Sequence, residues 1–179
     1  MSESTSLLLD AIERISQEVH AVVVGLGPDQ LGARIAPDAN SIAWLIWHLT
    51  RVQDSHLCEL AQQEQVWISG GWFGRFGLPF DTDATGYGQS SRDVAEVRDV
   101  DGEQLIGYFE AVHDQTTRII GELKAADLAS VVDETWDPPV TLAARLVSVI
   151  SDDLQHVGQA AFIRGLLEQQ FGHVKKSLI

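Results

Sequence analysis

Apolar residues recur at intervals of three and four in four stretches of this chain, the spacing that lines one face of an α-helix. The first stretch carries Leu8, Ile12, Ile15, Val19, Val22 and Leu26, and runs into Gly25-Leu-Gly27-Pro28, a helix stop. The second opens at Asn40-Ser41, either of which can serve as N-cap, and its stripe is Ile42, Leu45, Leu49, Val52 and Leu60. The third starts near Asp101 and holds Leu105, Phe109, Val112, Ile119 and Leu123. The fourth follows Pro138-Pro139, with Thr141 as N-cap, and carries Leu142, Leu146, Val149, Ala160, Ile163 and Leu167. The pattern predicts long helices over 4–26, 41–64, 101–123 and 141–168, and an all-α four-helix bundle.

The connections are unequal. Residues 27–40 form a moderate loop, and 124–140 end in the stiff run Thr135-Trp-Asp-Pro-Pro139. Residues 65–100 make a long, Gly-rich crossover with Trp67, Trp72, Phe73, Phe76, Phe80 and Tyr87, too aromatic for a disordered linker. A crossover of that length lets the second and third helices run parallel. The tail from Phe171 to Ile179, with Lys175 and Lys176, is expected to fray.

The length of 179 residues suits one domain, taken as 1–179. A net charge of −14 disfavours nucleic acid and anionic membranes, which both require a cationic face. No apolar run approaches the roughly 20 residues that span a bilayer. The single cysteine, Cys58, excludes an intrachain disulfide, and the first residues lack the basic start of a signal peptide, so a cytoplasmic protein is expected.

Two of the helices carry polar groups toward their apolar stripes. Asp152 and His156 are four apart and share one helical face with Leu146, Val149 and Ala160. A carboxylate and an imidazole there need partners. Ordinary hydrogen bonds within the bundle would serve. So would a divalent metal, with a histidine from the second helix as third ligand. His48 is one candidate; His56 projects closer to the centre of its stripe, and Asp153 is a second inward acid. The spacing alone favours His56. Asp153 could equally bind a backbone group or an arginine such as Arg164. Cys58 shows neither a neighbouring base nor a cause for a low pKa and reads as a buried structural thiol. Gly70-Gly-Trp-Phe-Gly74 lacks the Lys-Ser/Thr of a P-loop.

Four segments carry a family resemblance: Ser41-Ile-Ala-Trp-Leu-Ile-Trp-His48-Leu-Thr-Arg51, Gly77-Leu-Pro-Phe80, Trp136-Asp-Pro-Pro139 and Asp152-Asp-Leu-Gln-His156-Val-Gly-Gln159. In this order and spacing they resemble the DinB-like family, and more closely its mycothiol-transferase branch. The resemblance implies an up-down-down-up bundle and a divalent metal, zinc or nickel foremost, held by His48, Asp152 and His156. The chain departs from the commoner His-x-x-x-His by having Asp152 at the first position, and is similar there to the Glu-x-x-x-His of mycothiol-dependent maleylpyruvate isomerase. The function implied is transfer of a low-molecular-weight, mycothiol-like thiol onto an electrophile. Metal-assisted hydrolysis is the alternative, as is a non-catalytic, stress-linked metal-binding or interaction protein. The family also implies a homodimer, for which the broad apolar arc of helix one, with Leu7, Leu8, Val22 and Val23, is the candidate surface.

Overall fold

The computed structural model describes residues 2–176, with side chains to 169. The tail from Phe171, expected to fray, lies outside the residues whose side chains are described. The helices are α1 (Glu3–Val23), α2 (Pro28–Leu31), α3 (Ile42–Ala61), α4 (Val66–Ser69), α5 (Trp72–Phe76), α6 (Ser91–Val94), α7 (Gly102–Glu122) and α8 (Leu142–Lys176). A 3-10 turn at Ala125–Ala129 and a two-stranded antiparallel ribbon, β1 (Val131–Asp133) and β2 (Val140–Thr141), join α7 to α8. The four long helices are those the periodicity predicts, except that the backbone of α8 continues past the expected end near 168 to Lys176, through part of the tail expected to fray. The crossover is not plain loop: it contains α4, α5 and α6. The ribbon had no signal in the sequence, because its strands are too short to show alternation.

The helix starts follow local chemistry. Ser2, Ser41 and Asp101 cap α1, α3 and α7, each side chain accepting the N–H three residues on. Between the two candidates at the start of α3, Ser41 is the cap, accepting from Trp44 N–H at 3.1 Å. The helix ends at Gln62, which adopts a left-handed conformation.

Cross-helix contacts fix the topology. Thr5 Oγ1 donates to the Leu123 carbonyl and His20 pairs with Glu110, so α1 and α7 are antiparallel. Asp54 meets Tyr108 and Cys58 meets Gln115, so α3 and α7 run parallel. Trp44 meets His156 and His56 meets Arg145, so α3 and α8 are antiparallel. The bundle is therefore up-down-down-up. Each long helix packs on two others, α1 and α3 each touching both α7 and α8.

α3 is buried from Ile42 to Arg51 without a break. It packs on two helices and is covered on its remaining side by the crossover, whose Trp67, Phe76, Val94 and Val97 belong to the same core. Val22 and Val23 of α1 are also core residues, which removes them from the expected partner surface and leaves Leu7 exposed there.

Candidate metal centre

Because α3 and α8 cross antiparallel, His48 faces Asp152 and His156. Asp152 Oδ1 lies 3.5 Å from His156 Nε2. The His48 and His156 rings meet edge-on with centroids 4.7 Å apart. One donor atom from each of the three residues lies within 4.8 Å of the others. His48 is buried and the other two are half-buried. Trp44, one turn before His48, stacks on it at 4.6 Å with the planes 14° apart. The indole N–H of Trp44 donates to Gln89 Oε1 at 2.7 Å, which pins this platform to the crossover.

The crossover also sets the state of His48. Its Nδ1 meets the Thr85 carbonyl at 2.5 Å. A carbonyl only accepts, so Nδ1 carries the proton and Nε2 keeps its lone pair. This backbone-anchored tautomer is the one metal-ligating imidazoles commonly take. The approach is close enough to require glycine next in the chain. Gly86 has φ +97°, and a Cβ there would lie 2.7 Å from His48 Nδ1 and 3.1 Å from both Trp44 and Trp47.

Arg51 holds that loop in place. It is fully buried one turn after His48 and donates to the carbonyls of Ala84 at 3.1 Å and Thr82 at 3.3 Å, and to Gln65 Oε1 at 2.8 Å. Its charge is met by Asp54 at 3.6 Å, and its guanidinium lies over the Trp67 ring. Asp54 in turn accepts from the N–H groups of Val66 and Trp67 and from the Tyr108 hydroxyl at 2.8–2.9 Å. One buried ion pair thus fastens the start and the middle of the aromatic crossover to α3.

The charges suit a cation. Burial lowers the pKa of His48, although its bond to Thr85 opposes this. Burial raises the Asp152 carboxyl, but the hydrogen bond and charge of His156, with His48 and His56, outweigh it and hold Asp152 below its usual value. His156 is raised, foremost by its hydrogen bond to Asp152. Asp152 Oδ2 and His156 Nδ1 are sealed from solvent with no partner among the described residues. Leaving such a group unsatisfied costs about 1–3 kcal/mol. Two imidazoles and one carboxylate are a donor set that zinc or nickel accepts, so the residues present fit a divalent ion.

The competing residues are engaged elsewhere. His56 Nδ1 accepts from Arg145 Nη1 at 3.0 Å, and it is not part of the convergent group. Asp153 binds neither backbone nor arginine. It is fully buried with both oxygens unpartnered, and burial, with the charge of Asp152, drives its pKa well above the carboxylate range. Arg164 pairs instead with Glu168 at 2.8 Å and the Val24 carbonyl at 2.9 Å. Cys58 is buried, and desolvation, with Asp54 beside it, pushes its thiol up to about 12. In front of the centre lies a cleft of about 370 Å³ whose walls include His48, Val52, His56, Thr85, Tyr87 and Asp152.

A family profile described as mycothiol-S-transferase matches residues 7–169. The chain belongs to the mycothiol-S-transferase family. The crystal structure of a conserved protein from Enterococcus faecalis is similar over 92% of this chain and 96% of that one, with 27% identity and a TM-score of 0.86. No functionally curated protein matches.

Several residues that shape the site in this mycothiol-S-transferase family member carried no assignable role in the sequence. Arg51 and Asp54 are three apart on α3, a spacing that reads as an ordinary surface pair until the crossover buries both. Thr85-Gly86 reads as generic turn. The one available signal was an arginine inside an apolar helix face, three residues after a candidate ligand.

Proposed function

We propose that this mycothiol-S-transferase family member holds a divalent metal at His48, Asp152 and His156 and transfers a low-molecular-weight thiol, mycothiol foremost, onto an electrophile. The observation that carries the reading is the convergence of three donor atoms within 4.8 Å at the wall of an open cleft. When bound, such a metal favours the thiolate form of a coordinated thiol and leaves positions open beyond its three protein ligands. The chain's own residues then orient and shield. Thr85 and Arg51 hold His48 in its ligating tautomer, Trp44 walls the inner side, and the aromatic crossover excludes water.

Metal-assisted hydrolysis is the weaker reading. It calls for a base to manage the proton of an attacking water, and neither nearby candidate offers one. Asp153 is fully buried, out of reach of a water in the cleft, and the Nδ1 of His56 is spent on Arg145.

The proposal includes a cytoplasmic setting. It also includes a homodimer, for which Leu7 on α1 and Val147, Leu154 and Phe162 on α8 are the exposed apolar candidates. No described helix is long and apolar enough to cross a membrane.

The test is cobalt substitution after elemental analysis of the purified chain. Titration with mycothiol is expected to produce sulfur-to-cobalt charge-transfer bands. A cobalt spectrum indifferent to thiols, or a chain that retains no metal, defeats the reading. Sedimentation as a monomer at micromolar concentration would remove the dimer alone.

A further inference from the structure

His56 lines the same cleft as His48 and Asp152, and its state is fixed from behind. An arginine has donors only, so the 3.0 Å contact from Arg145 Nη1 makes His56 Nδ1 an acceptor. The proton of the neutral ring must then sit on Nε2. Arg145 cannot swing away cheaply, because Asp133 at 3.1 Å and Glu59 at 3.4 Å hold it from two sides. Desolvation, and after it the Arg145 charge, lower the pKa of His56 and keep the ring neutral. Nε2 makes no hydrogen bond among the described residues, and it is not one of the atoms sealed from solvent. The cleft therefore carries a pre-set, neutral N–H donor beside the proposed metal centre, with no use in the fold.

We propose that His56 is the residue that receives the electrophile, its Nε2–H donating to an oxygen of the substrate, and that the preferred electrophiles are α,β-unsaturated carbonyl compounds. The inference rests on the thiol-transfer reading. The thiolate sulfur attacks the β-carbon and a C–S bond forms. The C=C π pair moves toward the carbonyl, so negative charge gathers on the oxygen that His56 faces. A solvent proton, equivalent to the one lost by the thiol, then adds to the α-carbon and restores the carbonyl. His56 gives up no proton, since a neutral imidazole is too weak an acid; it stabilises the developing oxyanion by hydrogen bonding. An alkyl halide, whose displaced electron pair leaves on the halide, gains little from this donor. Substrate preference would thus be set by a residue outside the ligand set.

The experiment compares but-3-en-2-one with allyl bromide as electrophiles, mycothiol as thiol and the zinc-loaded full chain as catalyst. His56→Leu is expected to lower the ketone-to-bromide rate ratio by about tenfold or more. His56→Gln, which keeps an N–H near the Nε2 position, should recover much of it. An unchanged ratio in His56→Leu overturns the proposal. If the wild-type chain turns over neither electrophile, thiol transfer has failed, and nitrogen-15 NMR of the histidines still decides on the donor. The proposal requires His56 as the Nε2–H tautomer in the wild type and a shift of that N–H when millimolar butan-2-one is added. The opposite tautomer, or no shift, overturns it.

Discussion

The Nδ1 of His48 donates to the carbonyl of Thr85, 37 residues further along the chain. A histidine on α3 is thereby oriented by the crossover, and the two are pressed together at a glycine. Gly86→Ala would put a Cβ 2.7 Å from that same nitrogen and would also strain a positive φ. We expect zinc affinity to fall about ten- to a hundredfold, the usual cost of disturbing a ligand's supporting partner, with helix content retained. Competition with a chromophoric chelator, alongside circular dichroism, checks both halves.

His156→Ala should abolish stoichiometric metal while leaving the bundle folded, because the shared core of four helices does not depend on that side chain. In the zinc-loaded wild type, X-ray absorption should give ligand distances of about 2.0–2.2 Å. Metal retained by the variant at full stoichiometry would exclude His156 as a ligand.

His56→Ala should leave metal content unchanged, since Arg145 already occupies the His56 Nδ1. This separates the two histidines of α3. If elemental analysis finds metal lost from His56→Ala but kept in His48→Ala, the ligand assignment is misplaced by about two helical turns.

Arg51→Met should be among the most destabilising single changes, by about 3–5 kcal/mol, because it strands the Asp54 charge in the core. It also releases the carbonyls of Thr82 and Ala84. Urea unfolding measures the loss. A change under 1 kcal/mol would mean the crossover does not depend on this ion pair.

Asp153 gives a pH dependence of definite sign. Its pKa is raised in the folded chain by burial. Below the ordinary aspartate pKa, near about 4, both folded and unfolded states hold the proton and nothing is lost. As pH rises above that value the unfolded state ionises first, so stability falls until the folded-state pKa is passed. Asp153→Asn removes this loss. Its unfolding free energy should therefore exceed that of the wild type by a margin that grows from mildly acidic toward neutral pH. A margin that shrinks over that range would show that Asp153 is charged and paired in the native state.

The four long helices and their bundling are legible in the order of apolar residues, because a 3.6-residue period in apolar positions has one inexpensive solution: bury the stripes against each other. The shared face of Asp152 and His156 is legible too, since four residues make just over one helical turn. Which histidine of α3 meets them is not legible there. His56 lies nearer the centre of the apolar stripe, and only the family resemblance pointed to His48. The tertiary structure brings His48 to Asp152 and His156 through the crossing of α3 and α8 and through a crossover that presses Thr85 and Gly86 onto the ring. Nor could local spacing reveal that Arg51 and Asp54 become fully buried. Their partners are backbone groups, the Gln65 amide and the Trp67 ring from residues 65–84, with the Tyr108 hydroxyl of α7, and a buried ion pair is tolerable only once those distant groups complete its hydrogen bonds.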